Sequence, residues 1–166
     1  MGSGTVSVQP AALLAIEPLR LAPLVDTAEV PPCVFCEIAQ GSRPAHLVLD
    51  EPDLLAFLDT RPVFEGHVLV VPRVHRADLL DVPPAEMAEL VEAARRLVVA
   101  IQAGLGAGGA WVSVNHRVSQ SVPHLHVHVI PRTKGDGLRG FFWPRTKYVD
   151  DAAAAGVAQR IRDELP

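Results

Sequence analysis

The chain has little of three things that mark particular protein classes. Cysteine occurs only twice in 166 residues, which excludes the framework of disulfide bonds found in small secreted domains. Positive charge does not dominate, because 15 basic residues face 19 acidic ones, and a net charge of −4 argues against bulk binding to nucleic acid. Long apolar runs are also missing, since none approaches the roughly 20 residues that cross a bilayer, and we expect no membrane partner.

The start of the chain, Met1 to Gly4, lacks the basic stretch of a secretory signal, and we expect a cytoplasmic protein. Residues 1–32 are rich in Ala, Leu and Pro, and we expect an extension that is partly disordered or packed on a neighbour. The total length suits one domain. A hydrophobic content of 49% is that of an ordinary globular protein that can bury a core.

The hydrophobic periodicity from Cys33 onward predicts an α+β protein. Apolar residues that recur at helical spacing between Met87 and Ile101 predict one long helix, with Gly104 after its end. A short helix closed by Gly41 is expected before the first strand. Since the predicted strands are joined by short turns, we expect an antiparallel sheet. The predicted strands cover residues 46–49, 54–58, 67–71, 111–114 and 123–131, and a final helix covers 150–165.

The most informative motif is a set of three histidines at every second position, His124, His126 and His128. Two-residue spacing is the periodicity of a strand, so the imidazoles are expected on one face and the intervening Leu and Val side chains on the other. Two uses of these imidazoles remain open at this point. They could be the ligands of a catalytic zinc ion, or one neutral imidazole could attack phosphorus as a nucleophile.

The residues before the triad favour phosphoryl chemistry. A transition state at phosphorus needs hydrogen-bond donors for its developing charge. Asn115, Ser119, Gln120 and Ser121 lie just upstream and supply amide, hydroxyl and backbone N–H groups. An imidazole pKa near 6.5 also leaves much of the group neutral at pH 7, as a nucleophile requires.

A second motif is the pair Cys33 and Cys36, separated by two residues. Structural zinc takes four N or S ligands in a tetrahedron. His75, in a turn after a predicted strand, and His124 would complete such a set. Two alternatives remain open: a pair of buried inert thiols, and a thioredoxin-like redox pair, which would need a βαβ context that the sequence lacks.

Four segments in this order, Cys33–Ile38, Ala56–Asp59, Gly66–His75 and Gln120–Ile130, resemble the signature segments of the histidine triad (HIT) superfamily. The resemblance implies an HIT domain over 33–134, followed by a C-terminal arm and helix over 135–166. It implies a five-stranded antiparallel sheet with one long and one short helix. It also implies a homodimer whose two sheets join into one.

The resemblance implies a nucleotide hydrolase or transferase that needs no catalytic metal. Its substrate would be a nucleoside phosphoramidate, an acyl-nucleotide or a dinucleoside polyphosphate, attacked at the α-phosphorus through a nucleotidyl-histidine intermediate. The alternatives are a non-enzymatic nucleotide-binding HIT domain and a zinc-dependent hydrolase that uses the triad as metal ligands.

By position, the resemblance makes His126 the nucleophile and places His128 and Ser121 beside it as the other catalytic residues. The predicted nucleotide-binding residues are Phe35, Ile38, Phe57, Leu58, Asp59, His67, Asn115, Gln120, Ser121 and His128. In members that carry zinc, the structural ligands match Cys33, Cys36, His75 and His124.

The chain departs from the family pattern in the loop of residues 116–119. This loop is short and free of glycine, and Ser119 stands where a glycine commonly precedes the Gln. The segment Gly137–Arg145 holds three aromatic residues beyond the motif. We expect it either to pack in the core or dimer interface, or to reach the partner's pocket and influence which group leaves.

Overall fold

The computed structural model describes Met1, residues 33–138 and residues 147–165. Residues 2–32 of the predicted extension over 1–32, and most of the Gly137–Arg145 arm, lie outside these ranges. No helix in the described ranges has the length and apolar content needed to cross a bilayer. The elements are α1 (Val34–Ala39), β1 (Leu47–Asp50), β2 (Leu54–Leu58), β3 (Val68–Pro72), a 3₁₀ turn (Leu79–Asp81), α2 (Pro84–Leu105), β4 (Gly109–Val114), β5 (Val127–Arg132) and α3 (Asp151–Asp163).

The five strands form one antiparallel sheet in the order β1-β2-β3-β5-β4. This confirms the predicted fold class. β2 and β3 pair along their whole length, from Leu54 opposite Pro72 to Leu58 opposite Val68. The insertion of β5 between β3 and β4 brings the histidine segment to the middle of the sheet, next to a strand that is buried on both faces.

Alternate side chains of the central strands enter two separate apolar clusters. Leu54 and Ala56 of β2 pack with α2, whereas Leu55 and Phe57 join Phe35 of α1 in the other cluster. The two-residue strand period explains this division, because successive side chains point to opposite faces. The sheet therefore carries α2 on one face, and α1 with the histidine side chains on the other.

The long helix α2 follows the predicted apolar stripe, with Leu90, Leu97 and Ile101 buried against the sheet. It begins with Pro84 in its first turn, where the missing N–H breaks no helical hydrogen bond. The predicted end at Gly104 was wrong by two residues. Gly106 ends the helix instead, because its φ of +66° supplies the left-handed conformation that closes a helix.

The histidine strand begins later than its periodicity predicted. Hydrogen-bonded pairing of β5 starts at Val127, so His128 lies in the ladder but His124 and His126 precede it. The reason lies in the neighbouring strand, whose last residue, Pro72, has no N–H to offer. Leu125 N–H instead donates to the carbonyl of Arg76 in the following loop. The alternation still holds, since Leu125, Val127 and Val129 are buried in the cluster of α2.

We predict that Gly66→Ala destabilises the fold by about 2 kcal/mol or more. Gly66 has φ +85°, and an added Cβ would lie 3.2 Å from Cγ of the buried Pro131. It would also overlap Cδ1 of Leu105, an exposed side chain that would have to turn away. Gly41→Ala is the matched control, because Gly41 has φ +75° but open space around the new Cβ, and we expect a loss of about 1–2 kcal/mol, smaller than that of Gly66→Ala. Urea unfolding of both variants measures the difference. Equal losses would contradict the proposed overlap.

Candidate active site and metal centre

A cavity of about 850 Å³ lies against α1, the end of β2 and the histidine segment. Its lining brings together eight residues that sequence reasoning selected. Four are the apolar residues Phe35, Ile38, Phe57 and Leu58. The other four are polar: Asp59, Ser121, His126 and His128. A cavity of this size, apolar along one side and polar at a few positions, suits a drug-sized or nucleotide-sized ligand.

His126 is fixed in one orientation and one tautomer. Its Nδ1 lies 2.8 Å from the carbonyl oxygen of His124, so Nδ1 carries the proton and donates it. The ring is 4% exposed and meets the edge of the Phe35 ring at a centroid distance of 5.3 Å. With Nδ1 engaged, Nε2 holds the lone pair. A neutral imidazole arranged in this way can act as a nucleophile through Nε2.

His128 is held by a chain of hydrogen bonds that starts on the backbone. Val63 N–H donates to Nδ1 of His67 at 3.3 Å, which places the proton of His67 on Nε2. That nitrogen lies 3.0 Å from Nδ1 of His128 and donates to it. The network thus assigns the remaining proton of His128 to Nε2.

The Nε2–H of His128 is a donor without an acceptor. It is buried and has no hydrogen-bond partner in the described ranges. Leaving such a group unpaired costs about 1–3 kcal/mol, which an acceptor oxygen of a ligand in the cavity would recover. His128 therefore presents an oriented N–H donor, not used by the protein's described residues, beside Nε2 of His126.

Both supporting imidazoles are neutral at pH 7. Burial is the main cause that lowers the pKa of His128 to about 4, helped by the neighbouring His126 and His67. Burial also lowers the pKa of His67, against an opposing contribution from Asp59, whose carboxylate lies 3.4 Å from Nδ1. Asp59, His67 and His128 form a group with the residue types of a metal site. We assign it as a hydrogen-bonded chain, because the two histidines bond each other directly.

Asn115 and Gln120 lie in the adjacent loop and do not line the cavity. Gln120 uses both ends of its amide on protein, accepting from Arg117 N–H and donating to the carbonyl of Ala77. Asn115 donates to the carbonyl of Ser119 at 3.3 Å. These two residues hold the loop in this structure, and their predicted contact with a nucleotide stays a prediction.

The short loop of residues 116–119 adopts backbone conformations that glycine would favour. Arg117 and Ser119 both have φ +62°, a region that disfavours residues with a Cβ. Arg117 is anchored by its Nε, which donates to Asp78 at 2.8 Å. Because this loop has no glycine, residues with a Cβ adopt these strained backbone conformations. Side-chain hydrogen bonds hold the loop in place.

The four predicted metal ligands, Cys33, Cys36, His75 and His124, converge at one place. All four ligand atoms lie within 4.8 Å of one another. Nδ1 of His124 is 3.4 and 3.5 Å from the two sulfur atoms, and Nδ1 of His75 is 3.3 Å from Sγ of Cys36. Ordinary Zn–S and Zn–N bond lengths give a tetrahedral S···N edge of about 3.6 Å. The spacing thus fits tetrahedral zinc.

The chemistry of the donor set also fits a cation. Nε2 of His124 donates to the carbonyl of Pro72 at 2.9 Å. The lone pair of this ring therefore lies on Nδ1, which faces the sulfur atoms of Cys33 and Cys36. Burial lowers the pKa of His124 to about 4, so this ring stays neutral. Burial, with the nearby Cys33 sulfur, raises the pKa of Cys36 to about 11. Only a bound cation would hold such a thiol as thiolate at neutral pH.

The three triad imidazoles thus have separate surroundings. His124 faces the cysteines, His126 bonds the backbone, and His128 bonds His67. Within the described ranges the three do not form a common metal-ligand group. This arrangement disfavours a catalytic zinc ion bound by the triad.

Sequence reasoning missed two arginines that line the same cavity, Arg43 and Arg61. Arg61 follows Asp59 by two residues, and its backbone N–H donates to that carboxylate at 2.8 Å. Arg43 follows α1 through the turn at Gly41. Proximity in sequence to Asp59 was the available signal for Arg61, whereas the position of Arg43 depends on the turn at Gly41.

Comparison with known proteins finds relatives that match most of this chain. An uncharacterized HIT-like protein of Mycobacterium tuberculosis (strain CDC 1551 / Oshkosh) is 39% identical over 109 residues, which are 64% of this chain and 76% of that protein. An adenosine 5′-monophosphoramidase of Saccharomyces cerevisiae (strain ATCC 204508 / S288c) is 31% identical over 138 residues, covering 78% of this chain and 85% of the relative.

A solved structure and a family model complete the comparison. The crystal structure of a zinc-bound histidine triad family protein from Mycobacterium smegmatis matches with a TM-score of 0.63 and 36% identity, over 80% of this chain and 97% of that one. The family model described as the HIT domain matches residues 40–135, more than half of the chain. Sequence, fold and family model agree, and the chain belongs to the HIT family.

Proposed function

We propose that the protein is a nucleotide hydrolase that forms a covalent nucleotidyl intermediate on His126. The observation that carries this proposal is the hydrogen bond from Nδ1 of His126 to the His124 carbonyl. In the neutral ring, this bond leaves the lone pair on Nε2. The yeast relative named as an adenosine 5′-monophosphoramidase supports phosphorus as the centre attacked.

In the first step, Nε2 of His126 attacks the α-phosphorus of the substrate. A new N–P bond forms as the bond to the leaving group breaks, and the bonding electrons stay with the leaving oxygen or nitrogen. The hydroxyl of Ser121, which lines the cavity, passes a proton to that atom. In the second step, water attacks the same phosphorus and gives up a proton that returns to the oxygen of Ser121. The N–P bond breaks with its electron pair returning to Nε2, which restores the imidazole. Two displacements with lower barriers replace one difficult displacement.

His128 stabilises both transition states. Its unpaired Nε2–H donates to a non-bridging oxygen, where negative charge develops. His67 and the backbone of Val63 hold that donor in place, so little reorganisation is needed during reaction. This role uses a neutral imidazole, as the lowered pKa of His128 provides.

We assign the rest of the nucleotide to the rest of the cavity. The carboxylate of Asp59 suits the ribose hydroxyls, since it accepts hydrogen bonds near the catalytic histidines. The aromatic and aliphatic side chains Phe35, Ile38 and Phe57 suit a stacked base. The predicted homodimer, with sheets joined across its axis, remains a prediction.

We further propose that Cys33, Cys36, His75 and His124 bind a structural zinc ion. The fit of the S···N distances and the zinc-bound mycobacterial relative support this. The ligands come from α1, the turn after β3 and the segment before β5. Bound zinc would supply cross-links among these three segments, and no step of the reaction requires it.

A substrate panel tests the proposed function. Adenosine 5′-phosphoramidate, lysyl-adenylate, and diadenosine tri- and tetraphosphate are incubated with the protein, with and without a chelator. We expect nucleoside monophosphate to be released from at least one of them, at a rate that brief chelation leaves unchanged while the protein stays folded. Release of no nucleotide from any substrate would contradict the proposal. Immediate loss of activity in chelated, folded protein would favour a catalytic metal.

A further inference from the structure

Arg43 is brought to the cavity by the end of α1. Its backbone N–H donates to the carbonyl of Glu37 at 3.2 Å, after Gly41 has turned the chain with φ +75°. The side chain then pairs with Glu37, whose Oε2 lies 3.0 Å from Nη1. Arg43 lines the same cavity as His126 and His128. The contacts made within the described ranges use only Nη1, so Nη2 and Nε remain available to a ligand.

The apolar part of the cavity separates Arg43 from the histidines. Phe35 contacts the rings of both His126 and Phe57, with centroid distances of 5.3 Å to each. Ile38 lies about one helical turn farther along α1, a rise of about 4.5 Å. Arg43 follows beyond the end of that helix. A nucleotide with its α-phosphorus at His126 and its base between these apolar side chains would therefore bring an edge of the base to Arg43.

We propose that Arg43, positioned by Glu37, selects the base and favours a 6-oxopurine, guanine or hypoxanthine, over adenine; this proposal rests on the proposed function. A guanidinium group donates two parallel hydrogen bonds to O6 and N7 of guanine, both of which are acceptors. Adenine carries an N6 amino group in place of O6, so one donor of the arginine would face another donor. The discrimination would therefore arise from chemistry that apolar side chains at this position could not supply.

Binding measurements test the proposal without relying on turnover. Dissociation constants for GMP, IMP and AMP are measured by calorimetry on the full chain. We expect GMP and IMP to bind about tenfold more tightly than AMP, the lower range for a bidentate arginine contact because Arg43 is half exposed. IMP separates the two edges of the base, since it keeps O6 and N7 but lacks the 2-amino group. The same order is expected for kcat/KM of the corresponding 5′-phosphoramidates.

Three variants identify the side chain responsible. Arg43→Ile should remove the preference, and Arg43→Lys should reduce it, because an ammonium group keeps the charge but loses the planar fork. Arg95→Ile is the matched control: Arg95 pairs with Glu92 on the surface of α2 and does not line the cavity. It should keep the preference of the unaltered protein. Circular dichroism confirms that each variant is folded.

The outcomes separate this proposal from the proposed function. Equal dissociation constants for the three nucleotides, or a preference that survives Arg43→Ile, would overturn base selection by Arg43 and leave the hydrolase proposal intact. Selective binding without turnover of any phosphoramidate or of any other substrate in the panel would support Arg43 and overturn the hydrolase. Failure of all three nucleotides to bind would overturn both.

Discussion

Replacing His126 with alanine is expected to lower kcat by a factor of about 10⁴ or more while the protein stays folded. The variant removes the only atom that forms the covalent bond, and enzymes that lose a member of a nucleophilic triad show losses of this size. The protein should stay folded because His126 lies outside the apolar cluster that packs against α2, which is on the other face of the sheet. Steady-state kinetics on the best substrate of the panel measures the loss.

His46→Ala is the control for this variant. His46 is exposed and lines the same cavity, yet no catalytic step is assigned to it, so kcat should change by less than about threefold. Folding of both variants is compared by their thermal unfolding. A His126→Ala protein that retains a tenth or more of the original kcat would remove His126 as the nucleophile.

Replacing Cys36 with serine is expected to abolish zinc binding and to lower the melting temperature by about 10 °C. Metal binding contributes directly to folding when the site assembles only in the folded state. A loss of about 3–5 kcal/mol corresponds to roughly this shift in a chain of this size. Zinc is measured by mass spectrometry of purified protein, and unfolding is followed with and without a chelator. The unaltered protein should contain about one zinc per chain.

A matched pair of histidine variants separates metal loss from general damage. His75→Asn removes a proposed ligand, whereas His46→Asn alters an exposed imidazole outside the ligand group. Only the first should lose zinc and become insensitive to chelator. Unaltered protein that contains no zinc, and whose melting temperature a chelator does not change, would contradict the metal centre.

The fold was largely predictable because its signals are local and periodic. The apolar run of residues 54–58 predicted a strand, and the stripe along α2 predicted which helix side chains would be buried. Residues of both segments lie in the apolar clusters. The ends of elements were less predictable. Both Gly104 and Gly106 are plausible ends for α2, and only the backbone angle of the folded chain distinguishes them. Likewise, the periodicity of the histidines extends beyond the hydrogen-bonded part of β5.

The residue types of the site were predictable, but their connections were not. Cysteine spacing and ligand chemistry indicated the metal group, and the structure brings those four side chains together. In contrast, His67 and His128 bond each other across 61 positions of sequence. No local pattern encodes that contact or the tautomers it assigns. Arg43 was missed for a similar reason, because its position depends on the turn that folds it back onto Glu37.

The central claim is a covalent bond between His126 and the nucleotide, and a rapid-quench experiment tests it most directly. Protein is mixed with substrate labelled at the α-phosphorus, quenched within milliseconds under alkaline conditions that preserve phosphorus–nitrogen bonds, and digested for peptide mapping. We predict label on His126 that rises before free nucleotide accumulates and is absent from His126→Ala. Turnover that proceeds with no labelled protein at any time, or label on another residue, would contradict the account.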